Sequence, residues 1–220
     1  MSIAQNLQEV RSRLPEGVEL VAVSKFHPAA DIVEAYEAGQ RHFGESRVQE
    51  FVEKADALPG DITWHFIGHL QTNKVKQLVG RASVIESVDS ERLLALIDRV
   101  SAEKGVRSRV LLQMHVAAEE TKFGFSPEEL CDYFSHYKYK DLQATELCGI
   151  MAMATNTDDE ERVKADFAKV AETFRAVRKQ HPELREFNTL SIGMSDDFPA
   201  AVAAGSTSVR IGTAIFGKRL

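Results

Sequence analysis

Cysteine is scarce: Cys131 and Cys148 are the only two in 220 residues. They stand alone, in no CxxC or other metal-ligand spacing, which argues against a disulfide framework or a zinc ribbon. Two buried thiols in a reducing compartment are the expectation, with a disulfide as the alternative. Proline (6) and glycine (13) are too few for a collagenous or low-complexity chain. Long apolar runs are missing too. The run over 93–97 is among the longest, far short of the ~20 residues needed to cross a bilayer. The N-terminus carries no basic segment followed by an apolar one, so no secretory signal is expected and the predicted location is cytoplasmic. Positive charge is not in excess: 27 Lys+Arg face 33 Asp+Glu, for a net charge of −6. That balance argues against a nucleic-acid binder, which needs a basic surface. It is compatible with a local basic pocket for one small anion. What is present is ordinary, with 44% hydrophobic and 27% charged residues, as in a folded soluble protein rather than a disordered one.

Short β-branched runs alternate with longer helical patterns from end to end. Strands are predicted over 19–24, 42–44, 62–67, 83–88, 109–116, 147–153, 189–192 and 208–211. The intervening helices are predicted over 28–39, 46–58, 73–79, 90–104, 126–136, 157–180 and 198–204, with a short one after the last strand. Punctuation supports several boundaries: Pro59-Gly60 closes the second helix, Ser90 opens one that stops at Gly105, and Pro127 sits in a first turn. Val163, Phe167, Val170 and Phe174 recur at helical spacing. Eight strand–helix repeats with crossovers long enough for parallel pairing argue for an α/β fold, a single (β/α)8 TIM barrel. Residues 1–220 are expected to form one domain, with an extra N-terminal helix over 1–15. An open doubly wound sheet is the alternative, weakened by the absence of a GxGxxG turn after the first strand.

In such a barrel, chemistry belongs to the C-terminal ends of the strands. The first strand ends on Lys25, the seventh on Gly193-Met194-Ser195, and the eighth on Arg210-Ile-Gly212-Thr213. Barrels often hold a phosphate between the last two of these loops. Glycine for close backbone approach, N–H groups and hydroxyls are the chemistry that requires. Taken singly, the Gly-Ser and Gly-Thr pairs are ordinary turns; together they fall on both expected loops. Lys25 taken singly is a solvated rim charge. Near an anchored phosphate it becomes an amine suited to Schiff-base formation with a carbonyl. A phosphorylated aldehyde follows, and both sugar-aldolase chemistry and pyridoxal 5′-phosphate (PLP) fit it.

The chain resembles the pyridoxal phosphate homeostasis protein family, whose barrel is like the N-terminal domain of alanine racemase (PLP fold type III). The resemblance rests on Leu20-Val-Ala-Val-Ser-Lys25, His42-Phe-Gly-Glu45 and Trp64-His-Phe-Ile-Gly68 with Leu70-Gln71 and Asn73-Lys74. It continues through Gly149 with Met151-Ala-Met153, Ser191 with Gly193-Met-Ser-Asp196, and Val209-Arg-Ile-Gly-Thr213 with Ile215-Phe-Gly217. It implies that Lys25 is the Schiff-base lysine and that Ser195, Gly212 and Thr213 hold the phosphate, assisted by the backbone around Met194. By similarity Arg210 faces the pyridine nitrogen of PLP, where a donor-only guanidinium keeps that nitrogen unprotonated; otherwise it is a rim arginine paired to an acid. The implied role is intracellular PLP homeostasis, buffering the cofactor or delivering it to PLP-dependent apo-enzymes, from a monomer with no robust turnover and no catalytic residue of its own. The alternative is a PLP-dependent amino-acid racemase or related enzyme. Racemisation needs an acid/base group on each face of the substrate carbon. The second domain that supplies the opposing tyrosine in the racemase is not expected here, because the chain ends at Leu220. Two positions depart from the family pattern: Ser46 stands where Asn is usual, and Ala154 where Pro often follows the Met-Ala-Met segment.

Other candidates are weaker. His65 and His69 are four apart, but no carboxylate or third ligand stands at metal spacing, so no metal site is expected. Lys122 lies in the loop after the fifth strand as a possible second amine or a solvated charge. Asp196 and Asp197 are expected in the first turn of a helix, favoured by its dipole.

Overall fold

The computed structural model describes residues 2–117 and 123–217; Lys122 lies outside them. Eight parallel strands close into a barrel in sequence order, with β8 returning to pair β1. The strands are β1 (Glu19–Val23), β2 (His42–Glu45), β3 (Thr63–Phe66), β4 (Val84–Val88), β5 (Ser108–His115), β6 (Thr145–Met153), β7 (Thr189–Ser191) and β8 (Ser208–Ile211). The predicted (β/α)8 barrel is what the chain adopts, and the doubly wound alternative is set aside. The helices are α1 (Ile3–Ser12), α2 (Ala29–Glu37), α3 (Val48–Ala57), α4 (Val75–Leu78), α5 (Glu91–Lys104), α6 (Pro127–Ser135), α7 (Glu160–Gln180), α8 (Phe198–Ala204) and α9 (Thr213–Phe216).

The helix ends follow local chemistry. Ser2 and Gln5 form a capping box on α1, and Ser126 and Glu129 form another on α6, where Pro127 takes the first helical position. Ser90 caps α5, and Gly105 ends it in the left-handed region at φ 64°. The expected N-terminal helix is present. It buries Leu7 and Val10, and Asn6 Nδ2 donates to the Ile215 carbonyl on α9 at 2.9 Å.

Three expectations need correction. The long helix begins at Glu160, not 157, because Asp159 turns its carboxylate onto the Glu161 and Arg162 N–H groups and sets the start there. The helix after β7 begins at Phe198, so Asp196 and Asp197 precede it and do not lie in its first turn. Both thiols are free, but only Cys148 is buried; Cys131 is exposed on α6. A 3-10 turn over Lys138–Asp141, entered through Tyr137 at φ 53°, lies in a stretch for which the sequence reading assigned no element.

The main apolar core lies between strands and helices, with Phe43, Phe51, Phe66, Phe134 and Phe167 fully buried. A separate small cluster joins Val84, Leu111, Cys148 and Met151 from three adjacent strands. Glu86 is two residues on from Val84, so both face the same way. Glu86 bonds to Ser191 on non-adjacent β7, so that face is the barrel lumen. The lumen therefore mixes aliphatic residues with buried polar ones: His65, Glu86, Ser191 and Arg210 are each at most 4% exposed.

Gly149 marks the tightest backbone approach. The β5–β6 register shifts between Val110 and Leu111, opposite it, and its φ is 152°. An added Cβ would lie 1.7 Å from the Thr189 carbonyl oxygen, so β6 can pair with β7 only through a glycine. Gly149→Ala is expected to cost about 3 kcal/mol or more by steric strain. A lowered urea midpoint with unchanged m-value would show it.

Candidate functional site

The loops after β1, β7 and β8 meet at one end of the barrel around a cavity of about 240 Å³. Lys25, Met194, Ser195, Arg210, Gly212 and Thr213 all line it. Every residue singled out for this site from sequence thus falls on one cavity. Val23, His27, Ile67, Met151, Met153 and Asp196 complete the wall.

The Lys25 turn is built from behind by charge. Lys54, one turn after Glu50 on α3, is only 7% exposed. Its Nζ donates to the Ser24 carbonyl at 2.8 Å and to Glu45 Oε1 and Glu50 Oε1 at 2.7 Å each. Ser24 Oγ also donates to Glu45 Oε1, at 2.6 Å. The Phe26 N–H donates to Glu50 Oε1 at 2.6 Å, which holds Phe26 at a φ of 67°, an uncommon conformation for a bulky residue. The residues on both sides of Lys25 are therefore pinned to one buried ammonium and its two carboxylates. Burial pushes the Glu45 carboxyl up, against the opposing bonds from Lys54 and Ser24 and the charge of Lys54, with the charge of Glu50 adding to the rise.

The other wall is held across the lumen. Arg210 Nη1 donates to the Ser191 carbonyl at 2.7 Å and to Ser191 Oγ at 2.6 Å, and Nη2 donates to the Ala152 carbonyl at 2.9 Å. Glu86 Oε2 lies 3.7 Å from Nη1 and accepts the Ser191 hydroxyl at 2.7 Å. Glu86 Oε1 lies 2.7 Å from His65 Nδ1. Burial alone would raise the Glu86 carboxyl. Its bond with His65, the charges of His65 and Arg210 and the Ser191 bond outweigh burial and hold it below its ordinary value. Burial lowers the Arg210 guanidinium, opposed by Glu86 and Asp197, yet a guanidinium stays charged. Arg210 thus combines the two readings offered from sequence: it pairs with an acid inside the barrel, and it lines the cavity.

The two phosphate-type loops are tied together, since the Arg210 N–H donates to the Gly193 carbonyl at 2.9 Å. Gly193 has a φ of 100°, and an added Cβ would meet Ala201 Cβ at 2.6 Å, so glycine is needed for β7 to turn against α8. The Met194 N–H departs from expectation. It donates to Asp197 Oδ1 at 2.5 Å, so this N–H is engaged within the loop and Asp197 fixes the loop's shape. Ser195 is half-buried and Thr213 exposed at the cavity edge. Ser46 stays clear of the cavity wall; its carbonyl packs where a Cβ on Gly68 would stand, at 2.1 Å.

Sequence reasoning missed Glu86, Lys54 and the role of Glu45. One signal was available: Glu86 interrupts the apolar run Val84-Ile-Glu-Ser-Val88, and a charge inside a barrel strand must have a partner. Lys54 gave none, because a helical Lys four residues after a Glu reads as a solvated pair. His65 faces into the barrel, with Nδ1 against Glu86. His69 turns away to Asp89, at 3.0 Å.

A parallel barrel with a lysine after its first strand and an anion-suited rim after its last two defines a class, and comparison identifies it. The family model for the alanine racemase N-terminal domain matches residues 1–219. A pyridoxal phosphate homeostasis protein of Schizosaccharomyces pombe is 36% identical over 97% of this chain and 91% of its own length. PipY of Synechococcus elongatus, solved without PLP, superposes with a TM-score of 0.92 at 41% identity, covering 98% of this chain and 100% of PipY. The form of PipY with PLP bound gives a TM-score of 0.88 with the same coverage. The chain belongs to the pyridoxal phosphate homeostasis protein family.

Lys54→Ala would leave Glu45 and Glu50 without their shared cation and the Ser24 carbonyl without its donor. Removing one partner of a buried pair costs about 3 kcal/mol. Burial already raises the Glu45 carboxyl in the fold, and without Lys54 it would rise further. Stability of the variant should therefore recover as pH falls from neutral towards the model-compound value of 4.5. Urea midpoints at neutral and mildly acid pH check both the loss and its sign.

Proposed function

We propose that this chain binds PLP in the cavity at the C-terminal end of the barrel and serves as a cellular buffer or donor of that cofactor. The observation that carries the proposal is the convergence of Lys25, Ser195, Gly212, Thr213 and Arg210 on one cavity of about 240 Å³. That volume falls just under the ~300–1,000 Å³ of common small-molecule sites and suits one small heteroaromatic phosphate. The donor set matches such a ligand from end to end. Ser195 and Thr213 bring hydroxyls, and Gly212 brings a backbone without a side chain, where the two loops meet. Lys25 supplies the primary amine on the neighbouring loop after β1. Arg210 stands below as a fixed, donor-only cation.

When bound, PLP supplies an aldehyde for condensation with an amine and an aromatic ring that can withdraw electrons. The chain's own residues set how it is held. Lys54 and Glu50 fix the backbone of the Lys25 turn, so the amine is presented without a search of loop conformations. Ser191 and the Ala152 carbonyl orient Arg210 before any ligand arrives, and Glu86 keeps its charge balanced. With Arg210 placed at a pyridine nitrogen, its guanidinium would donate and give no proton, and the ring would be a weak electron sink.

That electronic setting favours holding over turnover. Racemisation further requires an acid/base group on each face of the reacting carbon, and among the described residues no tyrosine lines this cavity. A role in cofactor homeostasis, with transfer to PLP-dependent apo-enzymes, agrees with both points. No described helix is long and apolar enough to cross a membrane. Monomeric action in the cytoplasm is part of the proposal.

Addition of PLP to the purified chain should produce the visible absorbance band of a lysine-bound pyridoxal. Lys25→Ala should abolish that band while leaving the unfolding midpoint within about 0.5 kcal/mol, as expected for a partly exposed rim residue. Thr213→Val and Ser195→Ala should keep the band but weaken PLP affinity by ~10-fold each, from loss of hydrogen bonds to a charged group. A wild-type chain that takes up no PLP would sink the proposal. Multiple turnovers of any amino acid, lost in Lys25→Ala, would replace the buffer with an enzyme.

A further inference from the structure

The opposite end of the barrel carries a cluster that the PLP site does not use. Glu19 opens β1, His42 opens β2, and His65 stands third in β3. His42 Nδ1 lies 3.1 Å from His65 Nε2 and 3.1 Å from Glu19 Oε2, and His65 Nε2 lies 3.8 Å from Glu19 Oε1. Glu19 turns one carboxylate oxygen to each imidazole, so side chains from three adjacent strands meet in one cluster.

Glu86 is buried and lies against His65 Nδ1, so Nε2 is the His65 nitrogen that faces the cluster. His42 presents Nδ1 and Glu19 its carboxylate, and one ligating atom from each residue lies within 4.8 Å of the others. Two imidazole nitrogens and a carboxylate at that separation can hold one cation.

The spacing suits a particular one. In a tetrahedron with bonds of ~2.0–2.1 Å, ligand atoms stand ~3.3 Å apart. The His42–His65 and His42–Glu19 separations, 3.1 Å each, lie close to that value. Two imidazoles and one carboxylate are a borderline-soft set that suits zinc better than magnesium or calcium, which prefer all-oxygen shells. The His65–Glu86 bond supplies the outer carboxylate that orients a ligating imidazole and raises its basicity. Access is open: Glu19 and His42 keep 38% and 33% of their side chains exposed, beside a surface groove that both help to line. Arg11 and Arg41 line the same groove, but their guanidinium groups are turned onto Gln40 and Asp61.

We propose that Glu19, His42 and His65 bind a zinc ion at the N-terminal end of the barrel, with water in the fourth position, tying β1, β2 and β3 together. At this end of a barrel a site reads as stabilising rather than catalytic. The expectation from spacing along the chain, that His65 has no third ligand, is set aside here because its partners come from neighbouring strands.

The test uses the full chain stripped with a chelator and titrated calorimetrically with zinc chloride. One zinc per chain is expected, with a thermal midpoint that rises with zinc concentration. His42→Ala should weaken binding by ~100-fold or more and Glu19→Gln by ~10-fold or more. Glu19→Gln is a conservative change at a partly exposed position, so it keeps the test decisive if His42→Ala folds poorly. Cys131→Ser should bind zinc like wild type, which separates this site from the exposed thiol. Cobalt(II) in place of zinc should give the visible bands of a four-coordinate nitrogen–oxygen site. No saturable binding below about 100 µM, ~10²-fold weaker than a micromolar site, would overturn the proposal. So would binding that survives both variants, or binding lost in Cys131→Ser. PLP absorbance is expected to be the same in Glu19→Gln as in wild type, so the two functional readings can fail separately.

Discussion

A single buried carboxylate organises the lumen of this barrel. Glu86 is 1% exposed, and an ionised carboxylate in such a setting costs several kcal/mol unless its oxygens are satisfied. Here they are satisfied from three other strands: β3 through His65, β7 through Ser191 and β8 through Arg210. A β-strand sequence can place one charge inside a barrel only if the opposite wall answers it. That requirement ties the orientation of Arg210, and with it one wall of the cavity, to a residue on the far side of the lumen. The apolar cluster of Val84, Leu111, Cys148 and Met151 lies on the same inner face.

The Lys25 side of the cavity is solved differently. There the charge network lies outside the barrel wall, between β2 and α3, and acts on the backbone rather than on the functional side chain. Lys54 reaches Ser24, and Glu50 reaches Phe26, which leaves Lys25 between two fixed points. The two halves of the site thus differ in kind. At Arg210 the side chain itself is held at its tip, while at Lys25 it is the backbone on either side that the charges fix.

The rim was legible in the sequence because barrels confine chemistry to strand ends, and strand ends can be read from local pattern. Lys25 follows an apolar run, and Gly193 and Gly212 each follow a short β-branched one, so periodicity located all three. What periodicity cannot show is which residue answers which across the lumen. Glu86 and Ser191 are 105 positions apart, and no spacing rule connects them. Lys54 was invisible for another reason: on a helix, burial depends on what packs above it, and the same Glu-x-x-x-Lys pattern is usual on solvated faces. Asp197 shows the limit at short range. It was read as a favourable charge on a helix N-terminus, but its carboxylate turns back onto the Met194 N–H, since the loop offers a nearer donor than the helix does.

The two ends of the barrel also constrain each other. Glu86 is held ionised by His65 on one side and by Arg210 and Ser191 on the side of the cavity. An ionised Glu86 can only accept, so His65 presents its Nδ1 proton to it and turns Nε2 towards His42 and Glu19. The orientation of that imidazole at the base is thus set by the charge balance beneath the cavity. Replacing His65 by an apolar residue would not isolate the base from the mouth. It would withdraw a bond that helps keep Glu86 ionised, and the wall that carries Arg210 would have to find another counter-charge. The histidine itself therefore belongs to both ends of the lumen.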